Sequence, residues 1–227
     1  MNDKEKLSTQ EVANRITVGM GLVYDLYNEV VTFLRIVKES VESSVDASCL
    51  TGKGFKIPLA PRKQRTPADI YVSTDLGLVY ELDTQGSGEE EEEDNDEASD
   101  SSDKGMQVTA DSRFLVFRVQ LYDRTQSGND GFQPSVIGAV LTDSVRTKTV
   151  KGKDPEELKN FTIRRAAYLK ILRKLDRSTS VDQLVSIQVP KGRITNTVAA
   201  VHVQPLAEFD SEESVAAFVQ KLLPSDS

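Results

Sequence analysis

The apolar residues between positions 16 and 41 recur at alternating spacings of four and three residues. This heptad spacing places one side chain per turn on a single face of an α-helix. Ser8 and Glu11 precede the pattern as Ser-x-x-Glu, a capping box that marks a helix start. The sequence therefore predicts one long N-terminal helix, whose seam comprises Ile16, Met20, Val23, Tyr27, Val30, Leu34, Val37 and Val41.

Two interpretations of this helix stay open. Four more apolar residues widen the stripe beyond a two-stranded seam, so the helix must be covered on more than one side. They are Leu22, Leu26, Phe33 and Ile36. The cover is either the chain's own sheet or a partner chain, as in a coiled coil. In the second case the predicted partner contacts are Met20, Val23, Tyr27, Val30, Leu34 and Val37.

Period-two alternation and turn residues predict strands further along the chain. Residues 69–82 are interpreted as two short strands with a turn between them. Longer strands are predicted at residues 113–123 and 135–142, followed by a basic loop at 145–153. A hairpin is predicted from the segments 184–189 and 194–204, which flank a Pro-Lys-Gly-Arg turn.

Two further helices are predicted from their start signals. Asp154 and Pro155 are typical of an N-cap and a first helical position, and the helix is expected to run to about residue 177. A last helix is predicted to begin within residues 210–213. Its apolar face is expected to bury Val215, Phe218, Val219 and Leu222.

An acidic run interrupts this pattern between positions 89 and 103. It holds ten acids and no base, and without it the chain has 28 basic and 26 acidic residues, so the formal net charge changes from -8 to +2. Such a run repels itself and buries little apolar area. We expect residues 83–110 to be a disordered linker. It separates an N-terminal helix and short hairpin, 1–82, from an α+β core, 111–227, and the two parts are expected to form one domain.

The predicted order is helix, two strands, linker, two strands, helix, two strands and helix. Strands that neighbour one another in the chain favour antiparallel pairing, so the expected fold class is α+β. It consists of an antiparallel sheet, a long N-terminal helix and two further helices, interrupted by the acidic loop. This order resembles that of the chaperones of type III secretion systems. The resemblance carries over no residue and implies an acidic dimeric adaptor.

The predicted helix from position 155 to 177 has a basic side. At 100° per residue its cations fall opposite its apolar residues, and a basic loop leads into it. The surface is interpreted either as a solvated outer face or as a binding site for a polyanion such as nucleic acid. The residues of the predicted polyanion site are Lys151, Lys153, Lys159, Lys170, Arg173, Lys174 and Arg177.

Few residues with catalytic chemistry are present. Cys49 is the single cysteine and His202 the single histidine, too few for a Cys/His zinc site. The chain lacks a phosphate-binding loop and a Gly-x-Ser-x-Gly nucleophile elbow. A metal-dependent nuclease would use carboxylates. The candidates are Asp69, Asp75, Glu81, Asp83 and the Glu157-x-Lys159 pair.

These features favour a non-enzymatic adaptor or small chaperone-like subunit that binds a protein partner or a second copy of itself. The alternative is a nucleic-acid-associated regulatory protein, and a metal-dependent nuclease is third. No cofactor or metal is expected. Charges within the most apolar stretch argue against a membrane span, and a single cysteine fits a cytoplasmic location.

Overall fold

This computed structural model describes residues 8–45, 47–49, 76–82, 105–121 and 133–223. The described residues form nine strands. In chain order they are β1 (Ala47–Cys49), β2 (Leu76–Leu82), β3 (Gly105–Val108), β4 (Arg113–Gln120), β5 (Ser135–Lys148), β6 (Glu156–Leu158), β7 (Phe161–Arg164), β8 (Leu184–Val189) and β9 (Gly192–Pro205). Seven make one antiparallel sheet in the order β1-β2-β4-β5-β9-β8, with β6 paired to β5. The other two, β3 and β7, pair separately. Because β2 pairs with β4, segments from both sides of the acidic run share one sheet.

Three helices accompany the strands: α1 (Thr9–Ser44), α2 (Arg165–Tyr168) and α3 (Glu212–Gln220). Two 3-10 turns cover Leu169–Lys174 and Leu206–Glu208. The fold is therefore α+β with an antiparallel sheet, which confirms the fold class expected from the sequence.

The first face of the sheet is covered by α3 and by the second half of α1. Leu78, Tyr80 and Phe117 from the sheet share one core cluster with residues of these two helices. The helices lie side by side, and Gln220 Nε2 donates a hydrogen bond to Ser44 Oγ at 3.0 Å. At Gly138 a Cβ atom would lie 2.2 Å from Leu222 Cδ1, so the lack of a side chain there lets α3 approach the sheet.

The second face is covered by the β3–β7 pair, α2 and the first 3-10 turn. Val79, Phe114 and Ile137 belong to this second core cluster. Because both faces are covered, the central strands carry apolar residues in both directions, which explains the nearly continuous apolar run at the start of β5.

Several local predictions are confirmed. The helix α1 begins after Ser8 with both hydrogen bonds of the capping box. The strands at 113–120 and 135–142 are present, as is the hairpin of β8 and β9. The last helix is capped by Ser211 and buries Val215, Phe218 and Val219 as predicted, with Leu222 buried just after its end.

The predicted helix from 155 to 177 is wrong. Residues 156–158 and 161–164 are strands, and only four residues of α-helix and a 3-10 turn follow. Phe161 and Ile163 are both buried and alternate with the exposed Thr162, and β7 pairs with β3. This alternation of buried and exposed side chains is typical of a strand. The segment therefore forms a strand although Asp154 and Pro155 are typical of a helix start.

Two other boundaries also require correction. The predicted linker extends to residue 110, but residues 105–108 form β3, in which Met106 and Val108 are buried. The predicted basic loop begins at residue 145, but β5 continues to Lys148 and pairs there with β9 and β6. Residues 69–75 and 83–104 lie outside the described residues.

Candidate functional site

The second half of α1 belongs to the protein's own core. Tyr27, Val30, Leu34 and Val37 are at most 2% exposed and lie in the cluster formed with the sheet and α3. This corrects the expectation that these four side chains contact a partner, because the sheet and α3 already enclose them. The first of the two interpretations, packing on the chain's own sheet, therefore holds for this half of the helix.

The first half of α1 has no such cover. Every described side chain from residue 10 to residue 25 is exposed. Its large apolar side chains are between 42% and 67% exposed; they are Val12, Ile16, Val18, Met20, Leu22 and Tyr24. Val23 lies in the same helix, but its side chain falls outside the described residues. At 1.5 Å per residue, residues 9–26 extend about 27 Å beyond the part that packs on the sheet.

Four of the six exposed apolar side chains lie on the same side of α1 as the buried seam, whereas Val18 and Leu22 lie on the other side. At 100° per residue, Val12, Met20 and Tyr24 lie within about 80° of Ile16, and so do the buried Val30 and Leu34. The charged residues of this half lie at least about 100° away from Ile16 on the same geometry. They are Glu11, Arg15 and Asp25. We call the exposed, charge-free set Val12, Ile16, Met20 and Tyr24 the apolar arc.

The capping box gives the exposed half a defined beginning. Ser8 N donates to Glu11 Oε2 at 2.7 Å, and Glu11 N donates to Ser8 Oγ at 3.2 Å. The hydrogen bond from the Ser8 backbone, with a smaller contribution from the Ser8 hydroxyl, holds the pKa of Glu11 below its usual value. The backbone amides of Ser8 and Glu11 thus have hydrogen-bond acceptors although this end of the helix is exposed.

A cleft of about 520 Å³ lies beside the middle of α1. Thr32, Phe33 and Ile36 form one wall, and Phe209 and Val215 belong to the other. The Phe33 and Phe209 rings lie 4.8 Å apart between centroids. The lining residues of α1 point away from the side of the helix that carries the apolar arc, so the cleft and the arc are separate surfaces.

The predicted basic helix face does not exist, because its residues do not lie on one helix. Lys151 and Lys153 lie in the turn between β5 and β6, and Lys159 lies in the turn between β6 and β7. Lys170, Arg173 and Lys174 are exposed on the 3-10 turn. Arg177, beyond that turn, donates from Nη1 to the carbonyl oxygen of Gln133 at 3.3 Å. The seven residues therefore occupy two turns between strands, the 3-10 turn and the segment after it, rather than one helix.

The structure brings together a different basic group. Thr149 N donates to the carbonyl oxygen of Lys191 at 2.8 Å, which joins the turn after β5 to the turn between β8 and β9. The exposed cations at or beside these two turns are Lys148, Lys151, Lys153, Lys191 and Arg193. We call this group the basic tip. The sequence predicts only part of this group, because Lys191 and Arg193 are distant in the chain from Lys151 and Lys153 and become their neighbours only through the β5–β9 pairing.

The second core contains a buried polar cluster. Tyr168 Oη lies 3.5 Å from Ser144 Oγ, and Asn196 Nδ2 donates to the same Ser144 oxygen. Burial raises the pKa of Tyr168 to about 12, and its ring stacks on Phe114 at 4.2 Å between centroids. None of the three polar residues has measurable exposure, so their hydroxyl and amide groups serve the interior of the fold.

The candidate metal ligands are not assembled into a site by the described residues. In the described part of the chain, no three His, Cys, Asp or Glu side chains are close enough together to hold a metal ion. Glu157 lies in β6, whereas Asp69, Asp75 and Asp83 lie outside the described residues.

None of the described helices has the length and apolar character needed to cross a lipid bilayer.

Comparison with known protein families, with curated proteins and with solved structures finds no match to this chain. Within the described residues, the apolar arc and the basic tip are the surfaces that support a proposal of function.

Proposed function

We propose that this protein is a non-enzymatic, cytoplasmic adaptor or small chaperone-like subunit that binds another protein chain through the first half of α1. The observation that carries the proposal is the exposure of the apolar arc on a helix that extends beyond the sheet. Contiguous apolar surface on a water-soluble chain marks interaction sites, and an amphipathic helix is a common form of such a site.

The distribution of charge supports the same proposal. The three formal charges within residues 9–26 are Glu11, Arg15 and Asp25, and all lie outside the apolar arc. A partner that covers the arc would therefore desolvate no charged side chain, which avoids the largest cost of forming an interface.

The proposal is tested by adding charges to the arc. Ile16→Glu/Met20→Glu is expected to abolish the complexes that the full chain forms in the cells that naturally produce it, as measured by the size of the native complex after gentle extraction. Its thermal unfolding should be nearly unchanged, because both side chains are exposed. Gln10→Glu/Asn14→Glu is the matched control, since it adds two charges at polar positions of the same helix. Complexes of unchanged size in the arc variant would contradict the proposal.

The basic tip supports a second candidate function, the binding of a polyanion such as nucleic acid. Five cations lie beside two joined turns in a chain whose net charge is -8, and they outnumber the three exposed acids of the same region, Asp154, Glu156 and Glu157, the second of which lies opposite Lys148. Phosphate contacts of this kind weaken steeply as the salt concentration rises.

Binding of labelled single-stranded DNA at low salt tests this second function. Lys151→Glu/Arg193→Glu should reduce the affinity, whereas Lys170→Glu/Lys174→Glu on the 3-10 turn should have a smaller effect. Deletion of residues 86–103 should raise the affinity, because the tethered acidic run competes for the cations. Negligible binding both with and without the acidic run would exclude this function.

A further inference from the structure

We propose that the partner of the apolar arc is a second copy of this chain, and that the first halves of the two α1 helices pair antiparallel. This proposal rests on the proposed function and names its partner. It follows from three properties of the exposed half: the face that the arc occupies, the length of the free helix and the absence of charge on the arc.

The face of the arc excludes a parallel pair. The arc points in the same direction as Val30 and Leu34, and from Tyr27 onward this side of α1 is covered by the chain's own sheet. A second helix that ran parallel along the arc and continued past Tyr27 would collide with that sheet. A partner helix on the arc must therefore end near the level of Tyr27.

An antiparallel second copy satisfies this limit. In an antiparallel heptad pair, positions a and d of one helix face positions d and a of the other. In this register two residues face each other when their residue numbers sum to about 36. Ile16 of one copy therefore lies opposite Met20 of the other. Thr9, the first residue of α1, then lies opposite Tyr27, where the sheet begins to cover the helix. The register that aligns the apolar layers is thus also the one in which each helix stops at the body of the other copy.

The sequence of the arc suits a two-fold contact. Such a contact joins the same surface patch of both copies, so the patch must be complementary to itself. A charged patch would repel its copy, but the arc contains no charged side chain. Glu11 of one copy and Asp25 of the other would lie at the same height along the pair. Both point to the outer side of the pair and remain in water.

The size of the contact predicts a weak dimer. A helix about 27 Å long and 10 Å wide has an accessible surface about 1.4 Å further out, one water radius, and covering about 160° of its circumference removes roughly 480 Å² of that surface. The pair then buries about 950 Å², slightly below the range of about 1,200 to 2,000 Å² for stable complexes. We therefore expect a dimer that dissociates on dilution in the micromolar range.

Orientation is tested by disulfide formation in chains that carry Cys49→Ser. The antiparallel register places residue 13 of one copy opposite residue 23 of the other, whereas two residues 13 are separated by about 15 Å along the axis. A mixture of Ala13→Cys and Val23→Cys chains should therefore cross-link, and Ala13→Cys alone should not, since a disulfide needs Cα atoms within about 7 Å. Cross-linking of Ala13→Cys alone would indicate a parallel pair and overturn the proposal.

Assembly is tested by sedimentation of the purified full chain. The mass is expected to rise with concentration from 25.1 kDa to twice that value. Ile16→Glu/Met20→Glu should weaken the dimer by roughly 100-fold or more, because both copies lose two buried apolar contacts. Val18→Glu/Leu22→Glu makes the same exchange, with the same spacing, on the opposite side of α1 and should leave the dimer intact.

Two outcomes overturn this proposal without affecting the proposed function. A wild-type chain that stays at 25.1 kDa at all concentrations shows that the arc does not bind a second copy, whereas arc-dependent complexes in cells still support an adaptor with another partner. Equal loss of the dimer in the Val18→Glu/Leu22→Glu variant shows that more than two helices assemble. If the Ile16→Glu/Met20→Glu variant keeps both the dimer and the cellular complexes, both proposals are contradicted.

Discussion

From Tyr27 to Val41 the apolar side chains of α1 lie against the sheet and α3, whereas the described apolar side chains from Val12 to Tyr24 face solvent. The spacing of the seam is the same in both halves, and the helix continues between them without a break. What differs is the cover, which comes from strands and a helix much later in the chain. A heptad seam therefore identifies a surface that needs covering, and the tertiary structure determines which part becomes core and which part becomes an interface.

The sharpest contrast between the halves is expected from a buried charge. Val30→Asp places a carboxylate in the core without a partner, and the free energy of unfolding should fall by about 4 kcal/mol or more. Met20→Asp, at an exposed seam position, should change it by no more than about 0.5 kcal/mol. Denaturant unfolding at low protein concentration measures both, and equal losses would show that the two halves are buried alike.

Shortening an apolar side chain should also lower the free energy of unfolding more in the buried half than in the exposed half, but by a smaller difference than a buried charge. Leu34 is 1% exposed, so Leu34→Ala leaves a cavity and should cost about 2 to 5 kcal/mol. Leu22→Ala, at a side chain that is 67% exposed, should cost less than about 0.5 kcal/mol. A large loss for Leu22→Ala in the monomer would mean that Leu22 packs within its own chain.

Glycine substitutions should have opposite signs in the exposed helix and in the core. A Cβ atom at Gly21 meets nothing within 4 Å, so Gly21→Ala should stabilise the exposed half by up to about 1 kcal/mol. It should slow amide exchange in residues 12–26 without a comparable change in global unfolding. Gly138→Ala is the contrasting variant, because its Cβ atom would overlap Leu222 and should destabilise the whole fold by about 1 to 3 kcal/mol. Faster local exchange in Gly21→Ala would contradict the open environment of that position.

The smallest expected effect is the pH dependence of the first turn. The folded pKa of Glu11 lies below its usual value of 4.5, so its capping contribution is present above pH 4.5 and is lost as the pH falls through the folded pKa. Amide exchange of residues 8–12 should therefore accelerate relative to the rest of α1 below pH 4.5. In Glu11→Gln this pH-dependent difference should disappear, and its persistence would assign the effect to another group.

The sequence predicts those parts of the molecule whose signals are local. The capping box, the helix α1 and the strand β4 are each predicted from residues close together in the chain, and all three are present, although β4 is buried on both faces rather than on one. The helix predicted from residue 155 fails because the strand β7 is stabilised by β3, which lies more than fifty residues earlier. Local helix-start signals contain no information about that pairing.

The two candidate surfaces illustrate the same limit. The sequence predicts Ile16 and Met20 as part of the seam but not Val12 and Tyr24, and the exposure of all four depends on where the sheet ends beneath α1. The basic tip was only half identified, since Lys151 and Lys153 were selected without Lys191 and Arg193. Their proximity follows from the long pairing of β5 with β9 and from the hydrogen bond between Thr149 and Lys191.

Amide hydrogen exchange along α1, measured over a range of protein concentrations, tests the division of the helix most directly. Residues 30–41 should be protected at every concentration, because they are part of the core of each copy. Residues 12–26 should exchange rapidly in dilute solution and become protected only as the dimer forms. Protection of residues 12–26 that is independent of concentration, or rapid exchange there at concentrations where the chain is dimeric, would contradict the account.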